Sequence, residues 1–306
     1  MGKNKMQDTG SFTPVSKNHT ITRGTKTTMN RNSKKISLKL RAVLMSALIF
    51  ASSTAVSFAD VRSAELDYLK QLSEKFKQNI DSVTMLDTNA GSGWGMAVDS
   101  ASVKEQDDAM EFLQGVYSVV PFFNSMTIRS SRGNYEIDLK NLSQYESSKV
   151  VEIAQIWISE IVTEDMTDAE KLKAIHDKII NETTYDDSGG DESHSPAGVA
   201  MENKAVCDGY ARMMSIMATL VDVPVIQVTS GTMDHAFNLV FTDGKWLLVD
   251  TTYDDPISNG KEVLRHDYFL IEPTASKKHK YDKAGEGLTL DDYIKIGNYV
   301  YQDVIS

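Results

Sequence analysis

The stretch that most limits what this chain can fold into is residues 235–253, HAFNLVFTDGKWLLVDTTY. Two runs rich in aliphatic and aromatic residues flank Asp243-Gly244. That dipeptide between such runs signals a tight antiparallel hairpin. With Asp243 and Gly244 as the loop, Thr242 pairs with Lys245 and every opposed pair sums to 487. His235 then faces Thr252, and Phe237 faces Asp250. Side chains alternate faces along a strand. His235 and Asp250 therefore share a face as diagonal neighbours, roughly 7–8 Å apart at the backbone, which suits an imidazole–carboxylate hydrogen bond. A four-residue loop keeps this register, whereas an odd-length loop would separate the pair. The same face carries Phe237, Leu239, Phe241, Trp246 and Leu248. A core face that ends in a His and an Asp calls for a partner.

The partner is expected in AVCDGYARMM, residues 205–214, which holds Cys207, the single cysteine among 306 residues. Tyr210, Met213, Met214, Met217 and Leu220 recur at helical spacing. They predict a buried or half-buried helix over Val206 to Leu220 that starts at Cys207, with the methionines as core filler. One cysteine forms no internal disulfide, so the thiol is either buried and inert or kept for its reactivity. Unpaired N–H groups and the dipole at a helix start favour an anion, and the thiolate is the nucleophilic form of the residue. This helix is the nearest apolar partner of the hairpin in sequence. Packed together, the two would set thiol against imidazole, with Cys207 as nucleophile, His235 as base and Asp250 as orienter. The Cys207 backbone N–H is the candidate oxyanion donor, and no second donor is identifiable.

The surrounding sequence predicts an α+β chain, helices first and then an antiparallel sheet. Leu66, Leu69, Leu72, Phe76 and Ile80 suggest a helix over 64–80. Asn89 to Gly95 is a glycine-rich connection without the ending of a phosphate loop. Ser102 and Glu105 suggest a capping box for a helix that stops at Pro121. Arg132-Gly133-Asn134 lies between two strand-like runs as a hairpin. Val150, Ile153, Trp157 and Ile161 mark another helix. Thr167 and Glu170 cap the next one, lined by Leu172, Ile175 and Ile179. Ser195 and Pro196 read as N-cap and first position of a short helix, and Val223 to Val228 as a strand. Of the other histidines, His176 is expected at the surface and His194, His266 and His279 in loops or at edges. The pairs Asp186/Asp187 and Asp254/Asp255 lack the spaced oxygens of a calcium loop, so no metal and no cofactor is expected. The domain division expected is a leader over 1–59, an N-terminal, mostly helical α+β region over 60–145, and a catalytic domain over 146–306.

The leader carries a basic run, Arg31 to Arg41, an apolar stretch of 15 residues from Ala42 to Val56, and Ser57-Phe58-Ala59 before Asp60. That is the pattern of a secretory signal peptide cleaved after Ala59. The apolar stretch is short of the roughly 20 residues that cross a bilayer. Residues before Met29 are an unusual preamble, and Met29 is the more natural start. Ten of the 32 Lys/Arg and one of the 43 Asp/Glu fall in residues 1–59, which leaves 22 against 42 afterwards, a net of −20. Such a chain repels nucleic acid phosphates. A secreted protein is expected, not membrane-spanning after cleavage, with no nucleic-acid partner.

Ala205-Val206-Cys207-Asp208-Gly209-Tyr210-Ala211, His235-Ala236-Phe237-Asn238, Gly244-Lys245-Trp246 and Val249-Asp250-Thr251-Thr252-Tyr253-Asp254-Asp255-Pro256 together resemble the bacterial transglutaminase-like superfamily. The likeness covers about residues 165–285. It implies a papain-like core, a helix bearing the cysteine on an antiparallel sheet, with Cys207, His235 and Asp250 as its Cys-His-Asp triad. Phe237 and Tyr253 stand where many relatives carry tryptophan, so packing is kept while an indole N–H is absent. The resemblance implies a thiol enzyme acting on amide bonds of protein or peptide substrates, in a setting such as the cell wall. Hydrolysis is slightly favoured over crosslinking because water needs no second site. A non-catalytic binding module that kept the fold is the remaining alternative.

Overall fold

The computed structural model describes residues 64–65, 67–72, 80–84, 100–103, 105–131, 134–186, 188–258 and 261–305. The leader, the cleavage site after Ala59, the glycine-rich stretch at 89–95 and residues 73–79 of the first expected helix lie outside them. Residues 64–65 and 67–72 are helical. Strands β1 (Ile80–Thr84) and β2 (Ser100–Val103) precede helix α1 (Gln106–Val119), and β3 (Phe123–Ser131) and β4 (Asn134–Asn141) follow it. These strands form an antiparallel sheet in the order β1-β2-β4-β3. The expected hairpin is present, with Ser131 opposite Asn134. Ser102 does not cap α1. It lies in β2 between Ser82 and Glu136, and Glu105 is an N-cap without a side-chain bond.

Two long helices follow, α2 (Gln144–Ile161) and α3 (Asp168–Glu182). The Thr167–Glu170 capping box forms as expected, Glu170 Oε2 accepting the Thr167 N–H at 2.8 Å and Thr167 Oγ1 accepting the Glu170 N–H at 3.3 Å. Short strands β5 (Thr184–Tyr185) and β6 (Lys204–Ala205) pair in parallel around a 3-10 turn and one π-helical turn. Helix α4 (Cys207–Leu220) comes next, then β7 (Val225–Ser230), β8 (His235–Thr242) and β9 (Lys245–Val249). A small ribbon, β10 (Ile257–Ser258) with β11 (Lys261–Glu262), strand β12 (Phe269–Ile271) and helices α5 (Leu290–Val300) and α6 (Gln302–Ile305) complete the chain.

The central antiparallel sheet has the order β12-β9-β8-β7. Its β8–β9 register runs from Thr242 opposite Lys245 to Asn238 opposite Val249, as the hairpin arithmetic requires. Asp243 and Gly244 both have positive φ, 54° and 77°, as a two-residue turn matched to strand twist demands.

The sheet is covered on both sides. On one face Phe237, Leu239, Trp246 and Leu248 join Leu113 and Val116 of α1, Phe123 and Ile137 of the first sheet, and Tyr293 and Ile296 of α5. On the other, Val240, Leu247 and Val249 join Tyr210, Met213 and Met217 of α4, with α2 and α3 behind it through Val150, Trp157, Leu172 and Ile175. The cysteine helix therefore packs on the face opposite Phe237, whereas the sequence suggested the Phe237 face itself. Asn238 explains the choice: its Nδ2 donates to Ala211 O and Ser215 Oγ of α4, both at 3.0 Å. Cys207 at the start of α4 and His235 at the start of β8 nevertheless come within reach of each other. Among the described residues no helix is long and apolar enough to cross a membrane.

Candidate active site

Cys207 is the first residue of α4 and is partly exposed. Its N-cap, Val206, is extended and offers no side-chain bond to the helix start, so the first-turn N–H groups stay clear of capping side chains. Gly209 makes the tight approach possible. A Cβ there would lie 2.7 Å from both Ser193 O and Ala205 Cβ, a separation that backbone does not tolerate. The Val206 N–H donates to Ser193 O at 2.9 Å and fixes the entry of the chain. Ser195 Oγ accepts the Ala197 N–H at 3.2 Å, in keeping with its expected cap role. Tyr210 anchors the helix to the far loop by donating to Asp255 Oδ2 at 2.6 Å.

His235 starts β8, and Asp250 follows the last residue of β9. The two are buried and bonded, His235 Nε2 to Asp250 Oδ2 at 2.8 Å. This engages one ring nitrogen and leaves Nδ1 free to face Cys207, whose side chain is near enough to act on the charge of the ring. Asp250 Oδ1 accepts the Tyr253 N–H at 2.9 Å, and the Asp250 N–H donates to Tyr268 O at 3.0 Å. Burial works against a charge on His235. The bonds to Asp250 and Cys207 and their negative charges outweigh it, and the pKa is raised from 6.5 to about 10. Burial likewise opposes the Asp250 carboxylate, yet bonds from His235 and His279 keep its pKa below the usual carboxylate value. Tyr253 stacks on the His235 ring with centroids 4.3 Å apart, and Phe237 lies 6.1 Å away. Both aromatic replacements noted in the sequence thus flank the imidazole.

Three other histidines make contacts that the sequence did not reveal, and one of them, His176, differs from its expected setting. His279 is buried, and its Nε2 bonds Asp250 Oδ2 at 2.7 Å. Its only signal in the sequence is Ser276, whose Oγ accepts the His279 N–H at 3.2 Å; such a turn gives no hint of a partner 29 residues away. His176 is not at the surface but completely buried, with Nδ1 at 3.0 Å from Asp177 and Nε2 at 3.2 Å from Asp254. Asp254 also accepts the Tyr268 N–H at 3.1 Å, so His176 ties α3 to the loop that carries Asp250. His194 reaches Asp208 of α4 at 3.0 Å. Among the described residues, ligand-type atoms come within 4.8 Å of one another in two groups, His176/Asp177/His266 and His235/Asp250/His279. In each group one carboxylate oxygen already takes two imidazoles, and these bonds account for the clustering.

Residues 156–251 match the family model described as the transglutaminase-like superfamily. That span contains Cys207, His235 and Asp250. The chain is 28% identical over 172 residues to the kyphoscoliosis peptidase of Homo sapiens and 27% identical to that of Mus musculus. Each alignment covers 47% of this chain and 26% of the relative, so the chain matches about a quarter of the length of those proteins. A crystal structure of a TGase is similar at 16% identity and a TM-score of 0.31, over 49% of each chain.

Proposed function

Because residues 156–251 match the model of the transglutaminase-like superfamily, we propose that this protein is a secreted thiol enzyme that opens amide bonds of proteins or peptides through Cys207, His235 and Asp250. The observation that carries the reading is the buried His235–Asp250 bond of 2.8 Å beside a thiol at a helix start. An imidazole gripped by a carboxylate can hold the proton of the thiol beside it, which activates Cys207 as a nucleophile. Cys207 Sγ attacks the carbonyl carbon, and the oxyanion faces first-turn N–H groups. The C–N bond breaks as His235 hands its proton to the departing amine, leaving a thioester. Water, deprotonated by His235, then attacks the thioester. Acid is released and the Cys207–His235 ion pair is restored. A lysine amine in place of water would give a crosslink. Hydrolysis is preferred because water needs no second site, and the peptidase name of the relatives is in keeping with it.

The test is direct. Iodoacetamide should label Cys207 in the folded wild type at neutral pH, at least tenfold more slowly in His235→Ala, and not at all in Cys207→Ala. A Cys207 that stays unlabelled in the folded protein sinks the enzymatic reading. Peptide libraries offered with and without an amine donor, with Cys207→Ala as blank, separate cleavage from crosslinking. A mature amino terminus at Asp60 in protein recovered outside the cell is the outcome expected for the leader.

A further inference from the structure

His279 lies beyond the span matched by the family model, yet it touches the same carboxylate oxygen as His235. Asp250 Oδ2 is 2.8 Å from His235 Nε2 and 2.7 Å from His279 Nε2, while Oδ1 is taken by the Tyr253 N–H at 2.9 Å. An ionised carboxylate only accepts, so both Nε2 atoms carry protons. For His279 a second bond is compatible with a single proton on Nε2. Ser276 Oγ accepts the His279 backbone N–H at 3.2 Å and lies 2.6 Å from His279 Nδ1. In a ring that carries its one proton on Nε2, Nδ1 is an acceptor, and the Ser276 O–H is placed to donate to it. The neutral ring then has its single proton on Nε2, aimed at Asp250. The opposite tautomer would set a nitrogen lone pair against a carboxylate oxygen.

We propose that Ser276 and His279 are positioning residues, which hold Asp250 Oδ2 in place from the side opposite His235 and keep Asp250 ionised while His235 carries the proton. The proposal rests on the triad reading of Cys207, His235 and Asp250. His279 does not meet substrate, because its side chain is completely buried. Its ring is walled by Phe237, edge-on at 4.8 Å, by Tyr268 at 5.1 Å and by Tyr253 at 5.3 Å. Among the described residues, the charged and titratable groups around it are Asp250 and His235 from the hairpin, Tyr253 and Tyr268 from the loops, and Lys278 of its own segment, whose Nζ lies over both tyrosine rings. A neutral donor suits this setting, since a second imidazolium beside His235 would oppose the charge that catalysis needs there. With the His279 bond gone, Asp250 loses one of three donors. It becomes easier to protonate, and its grip on His235 is no longer centred.

The experiment follows Cys207 alkylation by iodoacetamide against pH in wild type, His279→Phe, His279→Gln, Ser276→Ala and His235→Ala, with folding of each checked by near-UV circular dichroism. His279→Phe should slow labelling at neutral pH by about tenfold, which corresponds to about 1.4 kcal/mol. It should also move the acid limb of the profile up by about one unit, as expected when a hydrogen bond to the charged form is removed. His279→Gln, which still presents an N–H, should recover most of both. Nitrogen-15 spectra of wild type should show His279 Nδ1 unprotonated and Nε2 protonated, and Ser276→Ala should blur that assignment. Ser276→Ala changes little volume and carries the test on its own if His279→Phe does not fold. A folded variant, His279→Phe or Ser276→Ala, with the wild-type limb and rate overturns the proposal, as does a proton on Nδ1 of His279 in wild type. If His235→Ala also labels at the wild-type rate, the triad reading fails instead, so the two failures are distinguishable.

Discussion

His235 sits under opposing demands. Burial favours the neutral ring, and the bonds to Asp250 and Cys207 favour the charged one, which prevails with a pKa near 10 against an ordinary 6.5. A raised folded-state value means the folded protein binds the proton more tightly than the unfolded chain. The contribution of the charged ring to stability is therefore complete below pH 6.5, shrinks above it, and is lost as pH rises through about 10. Urea unfolding followed from pH 6 to 11 should show stability falling across that window, with a shallower fall in His235→Gln; equal slopes in the two proteins would contradict the ion pair. The His235–Asp250 pair was legible in the sequence because strand alternation has a fixed period and the turn fixes the register. His279 and His176 were not. Each is buried by a segment distant in the chain, His279 beside Asp250 and His176 under Asp254, 78 residues on. A helix pattern records which face is apolar, not which loop comes to lie over its polar margin.

Helix α4 delivers the thiol, and its start is set by close contact rather than by a capping side chain. Gly209 lies against Ser193 O, Ser195 O and the Ala205 methyl, all within 2.9 Å of where a Cβ would stand. Gly209→Ala should lower stability by about 1–3 kcal/mol, the usual cost of overpacking, and should slow Cys207 labelling because the first turn must shift. Thermal unfolding and iodoacetamide rates check both, and a variant as stable as wild type would show that the loop yields freely. Local signals served well here. The Thr167–Glu170 box and the Tyr210/Met213/Met217 stripe are decided within one or two turns, and both formed. Ser102 and Glu105 carry the same local signal, but pairing of β2 with β1 and β4 claimed Ser102 for a strand. The side of the sheet taken by α4 was equally hidden, because it hangs on Asn238 reaching Ala211 and Ser215.

At the scale of the whole molecule, the region before residue 146 is part of one core with the central sheet. Leu113 and Val116 cover Phe237, Leu239 and Leu248, while Arg212 of α4 lies with its guanidinium 4.6 Å from the Tyr117 ring centroid and donates to Phe123 O at 3.2 Å. A fragment of residues 146–306 should therefore expose that face and fail to give a soluble monomer with labelled Cys207, which gel filtration and iodoacetamide would show. A soluble, reactive fragment would mean the sheet face can be covered otherwise. One contact in this core reaches the turn that leads into His235. Gln114 of α1 donates to Thr229 O at 2.7 Å and Asp282 Oδ2 at 2.6 Å, and its Oε1 accepts the Leu288 N–H at 2.6 Å. Asp282 in turn accepts the N–H groups of Gly231 and Thr232 at 2.9 and 2.7 Å. The knot joins residues 168 and 174 positions apart, and contacts of such separation form slowly because a long loop must first close. Helices and hairpin can assemble early from near neighbours, but the turn before His235 is tied down only when Gln114 of α1 and the segment around Asp282 have docked on it. The setting of the His235 ring is thus a late event in folding, since it waits on the contacts most distant in the chain.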